Sequence, residues 1–275
     1  MSSDDEGQQN DELTGLLASV ADKIVDDVAE DERKSRLNPY SWHNAAIMSS
    51  YFCVGFGMTF IGTPLTYYMI DTLYSSAEEQ NVVSVVMSLP WSFKLLYGFL
   101  SDAVPIRGQR RKPYFCIGWA VYVAANALLA ALVTPSVGWI AALMLVQTMG
   151  YMCSDVMTDT LVVERSKAFE TEVERGSLQA AGYTLRTAGT CLGSVLGAVL
   201  YNTSSWGWGL TISQIFVLNA TLPVLLLAPL VPSLVDDPSG AAPPPIADQW
   251  RGIFALVQRR AVWQPCAFIF MCVAC

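Results

Sequence analysis

The chain has 275 residues, of which 53% are apolar and only 15% are charged, and its formal net charge is −8. So few charged residues exclude an ordinary soluble domain and indicate a protein that crosses a membrane several times. The acidity gives no indication of nucleic-acid binding, because residues 1–38 alone hold eleven Asp and Glu against four Lys and Arg.

Those first 38 residues predict an acidic cytoplasmic tail that is mostly disordered, since charged and polar side chains dominate it. Apolar residues recur at helical spacing from Leu13 to Val28, so an amphipathic helix is an equally good interpretation. The opening residues lack the basic start and the apolar core of a signal peptide. Targeting is therefore expected to depend on an internal membrane segment.

Residues 39–231 predict a bundle of six transmembrane helices, because six apolar runs follow one another there. The spans are expected over about 45–70, 81–100, 114–134, 139–163, 177–200 and 208–231. Residues 232–261 predict a cytoplasmic loop that ends in an amphipathic helix. Residues 262–275 predict the start of a seventh span. The expected fold class is an all-α membrane protein.

The basic residues predict the orientation of the bundle. Of the sixteen Lys and Arg residues, fourteen fall in segments that this topology places on one side, and the other two lie within spans. Loops rich in Lys and Arg face the cytoplasm, so the N-terminus is predicted to be cytoplasmic. The pattern fits the plasma membrane and an organelle membrane equally well.

Four ionisable residues lie within the predicted spans: Lys94, Asp155, Asp159 and Arg186. A charge at the bilayer centre costs about 2.5–3.5 kcal/mol on insertion scales, so these side chains are expected to face the bundle interior. Asp155 and Asp159 share one helix face, and Arg186 shares its face with a row of glycines. Two interpretations stay open: a substrate or proton site near the midplane, or ion pairs that hold the bundle together.

A second polar group follows span two, in the pattern Gly98-x-x-x-Asp102 and then Gly108-x-Arg110-Arg111. These residues are expected to form a cytoplasmic gating loop that holds helix ends together. A role in orientation alone is the alternative. The pattern resembles the loop between helices two and three of the major facilitator superfamily.

The longer string around this loop resembles one branch of that superfamily, the folate–biopterin transporters. It reads Pro-Trp-x-x-Lys-x-x-x-Gly-x-x-Ser-Asp over residues 90–102 and continues to Tyr114. Residues 155–164 resemble the fourth helix of this family, and residues 178–197 resemble its fifth. The resemblance covers about residues 45–275, and it implies the six-helix N-terminal half of a major facilitator fold plus the start of helix seven. The family has a second half, so a fragment, or a protein that is not a complete transporter by itself, is expected.

The resemblance implies a secondary active, proton-coupled carrier of folate or pterin-like solutes, with a small-molecule substrate, protons and the lipid bilayer as partners.

No cofactor or metal is expected, and all seven cysteines lie in predicted spans, where zinc sites and disulfides are disfavoured. An enzyme is not expected. A membrane-embedded prenyltransferase could use Asp155 and Asp159 to hold magnesium, but it would need a second acidic motif that the sequence lacks. A non-transporting six-helix interaction protein is a further alternative.

Overall fold

The computed structural model describes residues 23–132, 134–202, 206–235 and 246–274, and these residues are almost entirely helical. Within these ranges the one extended pairing is an isolated bridge between Ile106 and Gln109. The expected all-α fold class is confirmed. The helices in chain order are α1 (23–37), α2 (Trp42–Phe60), α3 (Gly62–Tyr67), α4 (Ala77–Ser92), α5 (Lys94–Ala103), α6 (Lys112–Ala131), α7 (Val137–Phe169), α8 (Ser177–Leu200), α9 (Ile212–Leu227), α10 (Ile246–Val257) and α11 (Arg260–Ala274).

Several of these helical stretches meet the length and apolarity that a bilayer requires. Lys23–Thr72, Lys112–Ala131 and Val137–Phe169 qualify singly, and α4 and α5 qualify together although they are bent by 41°. Helix α9 is apolar but has only 16 residues. The chain is therefore a membrane protein, and the number of six spans stays a prediction.

Two predicted spans are interrupted by proline. Helix α2 ends at Phe60, four residues before Pro64, which has no backbone N–H to bond the carbonyl of Phe60. Pro90 lies in the last turn of α4, and the N–H of Phe93 donates to the carbonyl of Pro90 at 3.2 Å, only three residues back. The break at Phe93 separates α4 from α5 and leaves Lys94 as the first residue of α5.

Glycines bring α8 into backbone contact with α2. Gly189, Gly193 and Gly197 are buried, and a Cβ on any of them would overlap a backbone oxygen of α2. The oxygens belong to Phe52, Phe56 and Phe60, one helical turn apart. A row of small residues is a common means of close packing between membrane helices. Helices α6 and α7 meet in the same way, at Gly118 and Gly150.

The first described helix docks on the end of α7. Arg33 in α1 donates to Glu174 at 2.9 Å and to the backbone carbonyl of Phe169 at 3.3 Å. The guanidinium of Arg36 lies 5.3 Å from the centre of the Phe169 ring. Helix α1 agrees with the helical spacing of Val28 and its neighbours, whereas residues 1–22 of the predicted tail lie outside the described residues.

This docking is expected to weaken in acid. The hydrogen bond from Arg33, with others from Thr171, holds the pKa of Glu174 below its usual range. A lowered pKa stabilises the docked state above the pKa of the free carboxyl, about pH 4.3, and this stabilisation is lost as the pH falls through the lowered value. Distances between spin labels at Asp27 and Glu172 should therefore be short at neutral pH and lengthen in acid.

Two matched variants separate the loss of the Arg33–Glu174 pair from other effects of low pH on the protein. Glu174→Gln should lengthen the distance already at neutral pH. Glu32→Gln should not, because Glu32 pairs with Arg36 inside α1 itself. An α1 that stays equally close at every pH in all three proteins would contradict the role of the Arg33–Glu174 pair.

The predicted orientation has a direct chemical test. Glu78 lies in the exposed first turn of α4, and Val173 is 97% exposed in the loop between α7 and α8. In a background with the native cysteines replaced by alanine, Glu78→Cys should react with an impermeant thiol reagent on sealed cells. Val173→Cys should react only after permeabilisation, and its labelling in sealed cells would reverse the orientation.

Candidate functional site

The four ionisable residues of the predicted spans come together between α5, α7 and α8, and we call them the charged cluster. Lys94 donates to Asp155 at 2.7 Å, and Arg186 donates to the other oxygen of the same carboxylate at 3.0 Å. Asp159 lies one helical turn from Asp155, with an oxygen 4.0 Å from the Lys94 ammonium. Two positive and two negative side chains thus neutralise one another.

Asp155 is the centre of the charged cluster. Its side chain is fully buried, whereas those of Lys94 and Arg186 are 31% and 15% exposed. Removing one partner of a buried ion pair costs about 3–5 kcal/mol, because it leaves an uncompensated charge. Lys94 and Arg186 therefore share one buried carboxylate, and each side chain is partly exposed at the surface of the described bundle.

Asp159 has a different environment. Its side chain is 29% exposed, and one oxygen accepts a hydrogen bond from the hydroxyl of Tyr51 at 2.7 Å. Tyr51 itself is fully buried in α2. Tyr51 was not predicted from the sequence, because helical periodicity identifies a face of one helix but not the residue that meets it from another helix.

An aromatic ring lies against both cations. The Lys94 ammonium is 4.8 Å from the centre of the Trp91 ring, and the Arg186 guanidinium is 5.7 Å from it. Such contacts contribute about 0.5–2 kcal/mol, depending on how dry the site is. The signal for Trp91 was present in the sequence, three residues before the one lysine of span two.

Arg186 has donors that face a poor acceptor. One terminal nitrogen donates to Asp155, and the other lies 3.5 Å from the sulfur of Met58. A thioether is a weak acceptor compared with a carboxylate. Met58 also lines an open cavity of 630 Å³ between α2, α3 and α8, whose other lining residues are mostly hydroxyl-bearing. They include Thr59, Thr63, Thr66, Tyr67 and Ser194.

The polar face of α7 continues away from the charged cluster. Tyr151 and Gln147 lie one and two turns beyond Asp155, and both are buried. The Tyr151 ring meets Tyr122 of α6 edge-on, with ring centres 6.1 Å apart. A chain of buried polar side chains therefore extends along the helix from the charged cluster.

Two residues of the predicted gating loop, Asp102 and Arg111, form a second ionic group with Glu164. Arg111, with 7% of its side chain exposed, lies 2.6 Å from Asp102 and 3.0 Å from Glu164. We call these three residues the loop latch, and they join α5, the start of α6 and α7. Glu164 was not among the residues predicted for the gate, because it lies in α7, 53 residues after Arg111.

The other loop residues have conformational roles. Arg107 and Gly108 both have positive φ, and they form a tight turn closed by hydrogen bonds between Ile106 and Gln109. Glycine suits the second of these positions, because L side chains are strained there. Gly98 lies within α5 rather than in the loop, and Arg110 is half-buried beside Arg111.

In the part of the chain that the structure describes, no group of three or more His, Cys, Asp or Glu side chains is placed to hold a metal ion. Asp155 is moreover occupied by two cationic side chains. The carboxylate of Asp155, which a prenyltransferase would need for magnesium, is thus already paired with Lys94 and Arg186.

Comparison with known proteins agrees with the resemblance seen in the sequence. The chain is 32% identical to Probable folate-biopterin transporter 4 of Arabidopsis thaliana over 64% of its length, and 28% identical to the Folate-biopterin transporter of Synechocystis sp. over 85%. It is 28% identical to Probable folate-biopterin transporter 7 of Arabidopsis thaliana over 65% of its length. These matches span 35%, 46% and 40% of the three relatives, less than half of each. No solved structure matches the chain.

The relatives are named as transporters and not as enzymes. A family model described as the BT1 family matches residues 54–275, which include the charged cluster and the loop latch. The chain belongs to the BT1 family.

Proposed function

We propose that this chain is part of a proton-coupled secondary transporter of folate or pterin-like solutes, in which the charged cluster is the substrate and proton site. The names of the relatives support the substrate class, because they refer to folate and biopterin. Transporter sites typically lie near the bilayer midplane, where ionisable residues are retained for function.

The observation that carries this proposal is that the two terminal nitrogens of Arg186 have hydrogen-bond acceptors of unequal strength. Among the described residues, one terminal nitrogen of its guanidinium donates to Asp155 at 3.0 Å, while the other lies 3.5 Å from the Met58 sulfur, a weak acceptor. A folate tail carries carboxylates, which an arginine binds bidentately and a lysine meets as a point charge. A substrate carboxylate would thus replace a weak contact with a strong one.

Asp155 can also take part in substrate binding without losing its cations. Its two oxygens each accept one hydrogen bond, from Lys94 and Arg186. A carboxylate has about four lone-pair sites, so both Asp155 oxygens can still accept from a substrate. A pterin edge presents adjacent N–H donors, which a carboxylate accepts in parallel. The same residues could therefore bind either end of a folate.

The loop latch is proposed to hold one gate state, since it joins three helix ends by ion pairs. Asp102→Asn removes the 2.6 Å contact with Arg111 and leaves the pair with Glu164. We expect slower transport with a substrate affinity that stays within a few-fold of the wild type. Turnover and equilibrium binding are the measurements, and Glu172→Gln, an exposed acid between α7 and α8, is the control. A large loss of binding with normal turnover would contradict a gating role.

The proposed function is tested by uptake into proteoliposomes. The longest reading frame that contains this chain is reconstituted and supplied with labelled folic acid or biopterin, with and without an inwardly directed proton gradient. Accumulation that requires the gradient and is abolished by a protonophore is the expected result. Absence of uptake of both compounds would refute the substrate class, and uptake indifferent to the gradient would refute proton coupling.

A further inference from the structure

We propose that Asp159, hydrogen-bonded to Tyr51, is the carboxyl that takes up and releases the coupling proton, while Asp155 stays ionised throughout the cycle. This inference rests on the proposed function for its meaning in transport. The proposed function assigns proton binding to the charged cluster as a whole. Here that role is assigned to Asp159 and not to Asp155.

The two carboxylates have very different numbers of cationic partners. Asp155 is fully buried and accepts from Lys94 at 2.7 Å and Arg186 at 3.0 Å. A proton on Asp155 would remove the negative charge that accepts a hydrogen bond from both cations, and Asp159, 4.0 Å from Lys94, is too far away to replace it. This loss is costly, because removing the charge of one partner of a buried ion pair leaves the other partner uncompensated.

Asp159 can accept a proton at a much smaller cost. Its nearest cation, Lys94, is 4.0 Å away and already bonded to Asp155. Its side chain is 29% exposed on the described bundle, whereas that of Asp155 is fully buried. The groups that face Asp159 are Tyr51 from α2, Lys94 from α5, Arg186 from α8 and Asp155 from its own helix.

Tyr51 suits both protonation states of Asp159. A hydroxyl is at once a donor and an acceptor. With Asp159 ionised, the Tyr51 hydroxyl donates to it, as the 2.7 Å contact indicates. With Asp159 protonated, the acid donates its own proton to the Tyr51 oxygen or accepts from Tyr51 at its carbonyl oxygen. The buried tyrosine thus keeps a hydrogen bond before and after the proton moves.

Charge balance then links the proton to the substrate. Two cations and two carboxylates sum to zero before substrate binds. A substrate carboxylate at Arg186 and Lys94 makes the site negative by one charge, and one proton on Asp159 restores neutrality. The proton comes from water on the side where substrate binds, and it returns to water on the other side when the substrate leaves. No other bond is made or broken.

Uptake as a function of pH gives the first test. In the wild-type carrier, accumulation of labelled folic acid should rise as the outer solution becomes more acidic. Asp159→Asn should give uptake that no longer responds to pH and accumulation that stops at the concentration of the medium. Asp155→Asn should lower uptake at every pH, and Tyr51→Phe should shift the pH dependence. An Asp159→Asn carrier that still concentrates folate along a proton gradient would overturn the assignment.

The second test does not depend on the substrate. Dicyclohexylcarbodiimide reacts with protonated carboxyls in apolar surroundings, and mass spectrometry locates the adduct. The purified chain should be labelled at Asp159 increasingly as the pH falls, and Asp155 should stay unlabelled. Labelling of Asp155, or none at Asp159 at any pH, would overturn the inference. If the carrier moved neither folate nor biopterin, the proposed function would fail while this result still decided which carboxyl takes the proton.

Discussion

Replacing Gly189 by alanine is expected to destabilise the bundle strongly, although only one methyl group is added. A Cβ at this position would overlap the backbone carbonyl oxygen of Phe52 and lie 3.0 Å from the backbone nitrogen of Phe56. Neither atom can rotate away as a side chain would. Overpacking of this kind costs about 1–3 kcal/mol and forces the two helices apart. The loss should appear as a lower melting temperature of the purified protein in detergent.

The matched control for this change is Gly62→Ala. Gly62 is also helical, but no atom lies within 4 Å of a Cβ built there. Alanine favours helix over glycine, by up to about 1 kcal/mol in a helix interior, so this variant should be as stable as the wild type or slightly more so. Equal melting temperatures for the two variants would refute the close contact of α2 with α8.

The glycine contact also explains why this part of the fold could be predicted from sequence. Glycines three or four residues apart, as at Gly189, Gly193 and Gly197, must lie on one helix face, because the helix repeats every 3.6 residues. The same rule placed Asp155 beside Asp159. Helical periodicity does not identify the partner helix, so only the structure shows that α8 packs against α2.

The parts of the site that were missed share one physical cause. Tyr51 and Glu164 act on residues that are distant along the chain, and their contacts depend on the packing of several helices. Trp91 could have been found, but the break at Phe93 decides its position against Lys94 and Arg186. Asp155 and Asp159 share one face of α7, so helical periodicity could not show that Asp155 pairs with the two cations and Asp159 with Tyr51.

The structure also changes how Arg186 is interpreted. The sequence left open whether Arg186 binds substrate or pairs with a carboxylate inside the bundle, and the 3.0 Å contact with Asp155 establishes the pair. The pair does not use the whole guanidinium, however, since the second terminal nitrogen faces Met58. A structural ion pair and a substrate contact are therefore compatible at this residue, and they can be separated by measuring transport and stability together.

Arg186→Lys is expected to weaken uptake of a carboxylate-bearing folate strongly and uptake of an uncharged pterin much less. Lysine keeps the positive charge beside Asp155 but loses the planar fork that binds a carboxylate bidentately. Loss of a hydrogen bond to a charged group costs about 1.5–3 kcal/mol, which corresponds to a roughly 10- to 150-fold loss of affinity. Initial rates for folic acid and biopterin in the same proteoliposomes give the comparison.

The matched experiment asks whether Arg186 serves only to neutralise Asp155. Arg186→Ala leaves Asp155 with Lys94 alone, and it should lower both stability and folate uptake, because a buried ion pair is broken. Adding Asp155→Asn should restore the melting temperature, since the uncompensated charge is removed. Folate uptake should stay low in this double variant, because the anion-binding group is still absent. Recovery of folate uptake, or equal losses for folate and biopterin in Arg186→Lys, would assign Arg186 to packing of the bundle and remove it from the substrate site.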